Sequence, residues 1–177
     1  MSTKKIGSTM TIIAIIGLIA ILTLLFSERI EDYRNPNRTV ESLSAPGGAP
    51  AIVLHRNRYG HYVANGELNG VTTELMLDTG ATDVAVSEAV AAMAGLAKGP
   101  AYPVSTANGS TIAYATVIAS VRLGDIVEYD VRASIVPHLG DPQVLLGMSF
   151  LERLDFSQRG ETLVLKSRRA PNGAPAL

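Results

Sequence analysis

Asp78 ends the apolar run Leu75-Met76-Leu77 and opens onto Thr79-Gly80-Ala81. A carboxylate in that position is costly to place. Burying one without partners costs several kcal/mol, so such a group has neighbours to satisfy it or a task to perform. A carboxylate can take up or give a proton at a reacting group. Thr79 beside it can donate and accept through its hydroxyl, and Gly80 removes the side chain that would hold a substrate or a second backbone away. The plain alternative is a strand that ends in a turn, because Asp and Gly are common turn residues.

The surrounding pattern shows what must position this loop. Residues 61–67 and 71–77 read as strands on either side of Leu68-Asn69-Gly70, whose Asn-Gly pair is a strong hairpin signal. The second strand delivers Asp78. Residues 84–86 read as a short strand, after which Ser87 can cap a helix through Ala94 that ends at Gly95. Residues 104–106 and 111–121 flank Ala107-Asn108-Gly109-Ser110, a second hairpin. Leu123-Gly124-Asp125 turns the chain, and residues 126–136 largely alternate apolar with polar, as a half-buried strand does. A short apolar strand at 144–146, a helical turn at 148–153 and a strand at 162–166 follow. Many short strands joined by glycine-rich turns predict an all-β fold, closed or barrel-like, with one or two short helices.

Val144-Leu145-Leu146-Gly147 leads into Met148-Ser149-Phe150-Leu151, and Leu145 stands 67 positions beyond Asp78 (145 minus 78). With Asp78-Thr79-Gly80-Ala81, this pair of elements resembles the retropepsin-like aspartic proteases, in the membrane-anchored bacterial form with a single Asp-Thr-Gly-Ala motif. The resemblance covers roughly residues 59–166. It implies a retropepsin-like closed barrel half in which Asp78 is catalytic and Thr79, Gly80 and Ala81 complete its loop. Leu145, Leu146 and Gly147 would support that loop from behind. Ala107, Asn108, Gly109 and Ser110, 29 to 32 positions past Asp78, fall where the family carries its flap. No cofactor and no metal are implied.

Peptide hydrolysis in this family uses a water held between two carboxylates that share one proton. The chain carries no second Asp-Thr-Gly or Asp-Ser-Gly. The resemblance therefore implies a symmetric homodimer in which each Asp78 meets its copy, acting on peptide or protein substrates. One departure stands out. Retroviral members pair an acidic residue after Asp-Thr-Gly-Ala with a basic residue after the downstream Gly, and this chain has Thr82 and Met148 at those places. Asp83 reads as solvated and Asp141-Pro142 as a turn. A reading from another class is a non-catalytic, membrane-tethered β-domain that binds extended peptides or partner proteins.

Composition narrows the classes further. The chain has 177 residues, 47% hydrophobic and 18% charged, with a formal net charge of −1. A nucleic-acid footprint would need clustered basic charge and is not expected. Without cysteine there can be no disulfide or thiol nucleophile. His55, His61 and His138 show no metal-ligand spacing and read as surface or loop residues.

From Ile6 to Phe26 no residue is charged, a stretch of 21 positions. That is about the ~20 residues needed to cross a bilayer as a helix. It exceeds the apolar core of an ordinary signal peptide and lacks a small-x-small site after it. The expected organisation is an N-terminal tail and transmembrane anchor at 1–26, a flexible tether at 27–51, the protease domain at 52–167 and a disordered tail at 168–177. Lys4 and Lys5 precede the span, while Arg29, Arg34 and Arg38 follow it, so the positive-inside count gives no clear orientation. The short basic N-terminus resembles that of a signal anchor with its domain exported, and the resemblance to the bacterial form implies a single-pass protein of the bacterial inner membrane with that domain on the periplasmic side.

Overall fold

A computed structural model describes residues 3–43, 48–106, 109–140 and 143–168. The chain begins with α1 (Thr3–Arg34), whose side chains from Met10 to Phe26 are all exposed. This helix is long and apolar enough to cross a membrane.

The strands run β1 (Glu41–Ser42), β2 (Ala51–His55), β3 (Val63–Leu68), β4 (Val71–Leu77), β5 (Val84–Ser87), β6 (Ala101–Thr106), β7 (Gly109–Leu123), β8 (Ile126–Val136), β9 (Val144–Leu146), β10 (Leu154–Arg159) and β11 (Thr162–Ser167). Two short helices, α2 (Glu88–Met93) and α3 (Met148–Leu151), complete the described elements. The domain beyond α1 is thus mostly β with two short helices among the described residues, as expected.

The larger sheet runs β3-β4-β9-β5-β8-β7-β6, and β3 also pairs with β7 at Glu67↔Arg122 and Leu68↔Val121. That extra pairing closes the sheet on itself and leaves β6 as an outrigger. Pro103 is tolerated there because an outer strand needs its N–H on one side only. A second sheet, β1-β2-β11-β10, packs against the first through Ile52, Leu54, Leu163 and Leu165. The shared core is filled by Leu75, Val84, Val86, Ile118, Ile135, Leu146 and Phe150, each 1% exposed or less.

Local chemistry explains the turns. Asn69 and Gly70 both have positive φ, +50° and +81°, as a two-residue hairpin turn of the type favoured by strand twist requires. Ser87 accepts a hydrogen bond at its Oγ from the N–H of Val90 at 3.3 Å, capping α2, and Gly95 at φ +66° ends that segment.

Two expectations need correcting here. Residues 27–51 are no loose tether in the part described: α1 runs on to Arg34, Asn35 and Asn37 are buried, and β1 pairs with β2. Arg168, expected to open a disordered tail, is fixed by Asp155 Oδ1 at 2.8 Å and by the Glu152 carbonyl at 2.9 Å. Strands β1, β2 and β10 have no counterpart among the expected strands. Residues 169–177, Ala107, Asn108 and the Asp141-Pro142 turn lie outside the described residues.

Candidate active site

The apolar run 75–77 forms the end of β4, and Asp78 is the first residue beyond it. Strand β9 lies parallel to β4 with Met76↔Leu145 and Leu77↔Leu146 in register. The two sequence elements separated by 67 positions are therefore adjacent strands. The Asp78 N–H donates to the Leu146 carbonyl at 3.2 Å, so the main chain of Asp78 is held by β9.

The rest of the loop is fixed the same way. Met148 donates its N–H to the Ala81 carbonyl at 2.8 Å, and Ser149 donates its own to the Thr82 carbonyl at 2.9 Å. These bonds need the two segments in close approach, which is what Gly147 permits. A Cβ at Gly147 would lie 2.2 Å from the Asp83 carbonyl oxygen and 2.7 Å from that of Ala81. Both obstacles are backbone, so no side chain larger than hydrogen fits.

Ser149 finishes the scaffold and was missed by sequence reasoning. It is 1% exposed; its Oγ accepts from the Val84 N–H at 3.0 Å and donates to the Arg132 carbonyl at 2.8 Å. One hydroxyl thus joins the end of the loop to β8. The only hint in the sequence is a serine in the otherwise apolar segment 148–151.

The Asp78 side chain is half-buried, and Thr79 and Gly80 are exposed. Asp78 Oδ1 accepts from the Gly80 N–H at 2.8 Å, which curls the turn back onto the carboxylate. A Cβ at Gly80 would stand 3.1 Å from that same oxygen. Asp78 and Thr79 border a cavity of about 350 Å³ that is otherwise largely apolar, including Tyr62, Leu151, Phe156 and Leu165. Phe156 is 51% exposed on the rim, a large apolar surface left open to water.

On the hairpin side, Gly109 and Ser110 border a cavity of about 260 Å³ with Val136, Pro137, His138 and Leu145. Leu145 thus links the two halves of the expected site: its backbone neighbours β4 and its residue borders the hairpin cavity. Leu146, its neighbour, turns into the core and is fully buried.

Asp83 is not simply solvated. Its Oδ1 lies 3.6 Å from the Arg132 Nε, and the same guanidinium reaches Glu152 at 3.9 Å. The missing Thr82/Met148 ion pair therefore has a displaced counterpart, linking the loop, β8 and the end of α3. Arg132 is well exposed, so this network contributes about 1 kcal/mol or less. Among the described residues, no group of three or more His, Cys, Asp or Glu could hold a metal ion.

Comparison with known proteins bears on the family and the fold. The sequence model of the family described as gag-polyprotein putative aspartyl protease matches residues 64–153, about half of the chain. That span contains the Asp78 loop, the hairpin and the Leu145-Leu146-Gly147 segment. A crystal structure of a retropepsin-like aspartic protease from Rickettsia conorii is 34% identical, with a TM-score of 0.55, covering 66% of this chain and 90% of that one. An uncharacterized protein in the cobV 5′ region of Sinorhizobium is 30% identical over 116 residues. That match covers 63% of this chain and 49% of the relative, so the chain spans about half of that protein's length.

Proposed function

The chain belongs to the gag-polyprotein aspartyl protease family and has a retropepsin-like fold, and from that premise we propose that it is a membrane-anchored aspartic endopeptidase working as a homodimer. Its site would form where two copies of Asp78 meet. The observation that carries the reading is the Asp78 loop itself. Its backbone is tied at Asp78, Ala81 and Thr82 to residues 146–149, while its carboxylate stays accessible. A turn aspartate with no further task does not need that scaffold.

In the reaction, one Asp78, ionised, takes a proton from the bound water as the water oxygen attacks the peptide carbonyl carbon. Its copy, protonated, donates a hydrogen bond to the carbonyl oxygen. Proton transfer to the amide nitrogen then lets the C–N bond break. Two carboxylates about 3 Å apart cannot both ionise, and aspartic proteases are the standing example of such a pair. Thr79 and Gly80, both exposed, are free to meet the partner loop, and the open Phe156 surface beside them would be covered by the same association.

The hairpin would close over an extended peptide, whose side chains would meet the Leu145 cavity. Helix α1 would hold the enzyme in the bacterial inner membrane with its domain exported. Confinement to a surface raises the effective concentration of copies and so favours the dimer.

Asp78→Asn tests the assignment. Asparagine keeps an Oδ1 acceptor for the Gly80 N–H, so folding and thermal stability should be unchanged. Cleavage of a mixed peptide library by the detergent-solubilised chain should disappear. Cleavage at the wild-type rate in that variant would remove Asp78 from the chemistry.

A further inference from the structure

The junction between α1 and the β-domain is tightly built. Asn57 Nδ2 donates to the Arg34 carbonyl at 2.8 Å, and Arg34 pairs with Glu74 at 3.0 Å. Asn35 Nδ2 donates to Asn65 Oδ1 at 2.9 Å. Asn37 Nδ2 donates to the carbonyls of His55 and Val63 at 2.9 and 2.7 Å, while its Oδ1 accepts from the His55 N–H at 2.6 Å. Helix, β2, β3 and β4 are therefore locked together within a few residues of the helix end.

Beside that clamp lies the turn 56–60, itself made firm by Asn57 Oδ1, which accepts from the N–H groups of Tyr59 and His61 at 3.0 and 2.9 Å. The Arg58 guanidinium sits 4.9 Å over the Tyr59 ring and 6.0 Å over that of Tyr33, in the last turn of α1. Arg56 lies 6.0 Å over Tyr62. Tyr33 and Tyr59 are 56% and 61% exposed. The acids at this end are engaged elsewhere in part: Glu74 with Arg34, Glu31 with Arg38 at 3.0 Å, and Glu41 near His55 at 3.7 Å. Asp32 is exposed. Among the described residues, no carboxylate lies within ion-pair distance of Arg56 or Arg58.

Height decides what this patch meets. At ~1.5 Å per residue, Arg34 stands about 12 Å beyond Phe26, the last residue of the apolar stretch. The headgroup layer on each side of a bilayer is roughly 5–8 Å deep. Long side chains at the level of Arg34 therefore reach the headgroups. We infer that Tyr33, Arg56, Arg58 and Tyr59 form a docking surface for anionic phospholipid headgroups of the bilayer that α1 enters. Guanidinium groups match phosphate oxygens, and tyrosine rings favour the interface. With the clamp at 35–37, this surface seats the domain against the membrane in one orientation instead of letting it swing on a linker. The inference rests on α1 spanning the bilayer.

The chain has no tryptophan. Tyr59→Trp in the full-length protein therefore gives a single indole at the surface in question. It would be reconstituted in phosphatidylcholine vesicles with and without phosphatidylglycerol, each carrying lipids brominated near the headgroup. Expected are a blue-shifted emission and several-fold stronger quenching with phosphatidylglycerol, an excess lost when Arg56→Gln and Arg58→Gln are added. Equal quenching with and without the two arginines overturns the headgroup site. An indole that stays unquenched in a chain resistant to alkaline carbonate extraction overturns the surface and leaves the span standing. A chain stripped by carbonate overturns the span, and this surface with it.

Discussion

The loop 78–83 and the hairpin of β6 and β7 are both short, polar-tipped connections, yet they are anchored in different ways. The loop is bonded through its main chain to residues 146–149 and rests on buried Gly147 and Ser149. Toward its tip the described part of the hairpin is paired through the ladder of its own two strands. Strand β7 pairs with β8 from Tyr114 onward, and from Gly109 to Ala113 it pairs with β6. Thr106, Gly109 and Ser110 are exposed. A segment fixed by buried backbone bonds opens only with the core, whereas a two-stranded arm held at its base can move by itself. In the proposed enzyme this difference separates the part that must hold a carboxylate still from the part that must admit a peptide.

The strongest way to break the comparison is Gly147→Ala. The new methyl would meet two backbone carbonyls at 2.2 and 2.7 Å, and the loop or α3 must shift. Overpacking of this kind costs about 1–3 kcal/mol, and here no flexible side chain can yield. Urea denaturation should show that loss, and cleavage should fall further than stability does, because Ala81 and Thr82 move with Asp78. Wild-type stability and activity in this variant would mean the loop is not rigidly tied.

Ser149→Ala is next. It leaves the Val84 N–H without its buried acceptor, a loss of about 1–3 kcal/mol that the urea midpoint would report. Ser149→Thr tests the same bonds with the hydroxyl kept. Its extra methyl has no room to spare in a site 1% exposed, so partial rescue at most is expected. A midpoint unchanged in Ser149→Ala would remove the hydroxyl from the scaffold.

On the hairpin, Thr106→Ala removes an exposed bond in which Thr106 Oγ1 donates to the Gly109 carbonyl at 2.8 Å. Surface changes of this sort stay within about 0.5 kcal/mol of wild type. The expected signature is an altered KM with an unaltered melting temperature. A stability loss matching that of Ser149→Ala would erase the contrast between the two segments.

Much of this layout was legible in the sequence because it rests on short-range chemistry. Asn69-Gly70, Ser87 and Gly95 each specify a local backbone shape and appear where expected. The alternation from Ile126 to Val136 gave the strand but hid Glu128, which is fully buried with Arg153 3.8 Å away. Its counter-charge comes from another element, and nothing in the local pattern announces it. Asp83 with Arg132, and Asn35 and Asn37 with β2, β3 and β4, escaped for the same reason. An Asn-Pro-Asn segment read alone is a linker, and only the carbonyls of His55 and Val63 make it a clamp. Strand β10 was unreadable because five of its six residues are exposed, which leaves little apolar pattern to detect.

The smallest expected effect concerns the hairpin's base. Lys98 Nζ lies 2.5 Å from Glu88 Oε1 and 4.5 Å over the Tyr114 ring, clipping the approach to β6 onto α2 and β7. The hydrogen bond and charge of Lys98 hold the Glu88 carboxyl below its usual value of 4.5, and the hydrogen bond that Lys98 donates to Glu88 holds its ammonium above its usual 10.5. The lowered carboxyl adds stability above pH 4.5 that is lost as pH falls through its folded value. The raised ammonium adds stability below 10.5 that is lost as pH rises past its folded value. Between those limits the contribution is flat. Both side chains are about half exposed to solvent and open to screening, so Lys98→Ala should lower the melting temperature only slightly, by the same amount at pH 6 as at pH 8, with the gap narrowing below pH 4.5 and at high salt. A large, salt-insensitive loss would show that the hairpin's base is held by packing on Tyr114 instead, and would bring that base closer in character to the loop at Asp78.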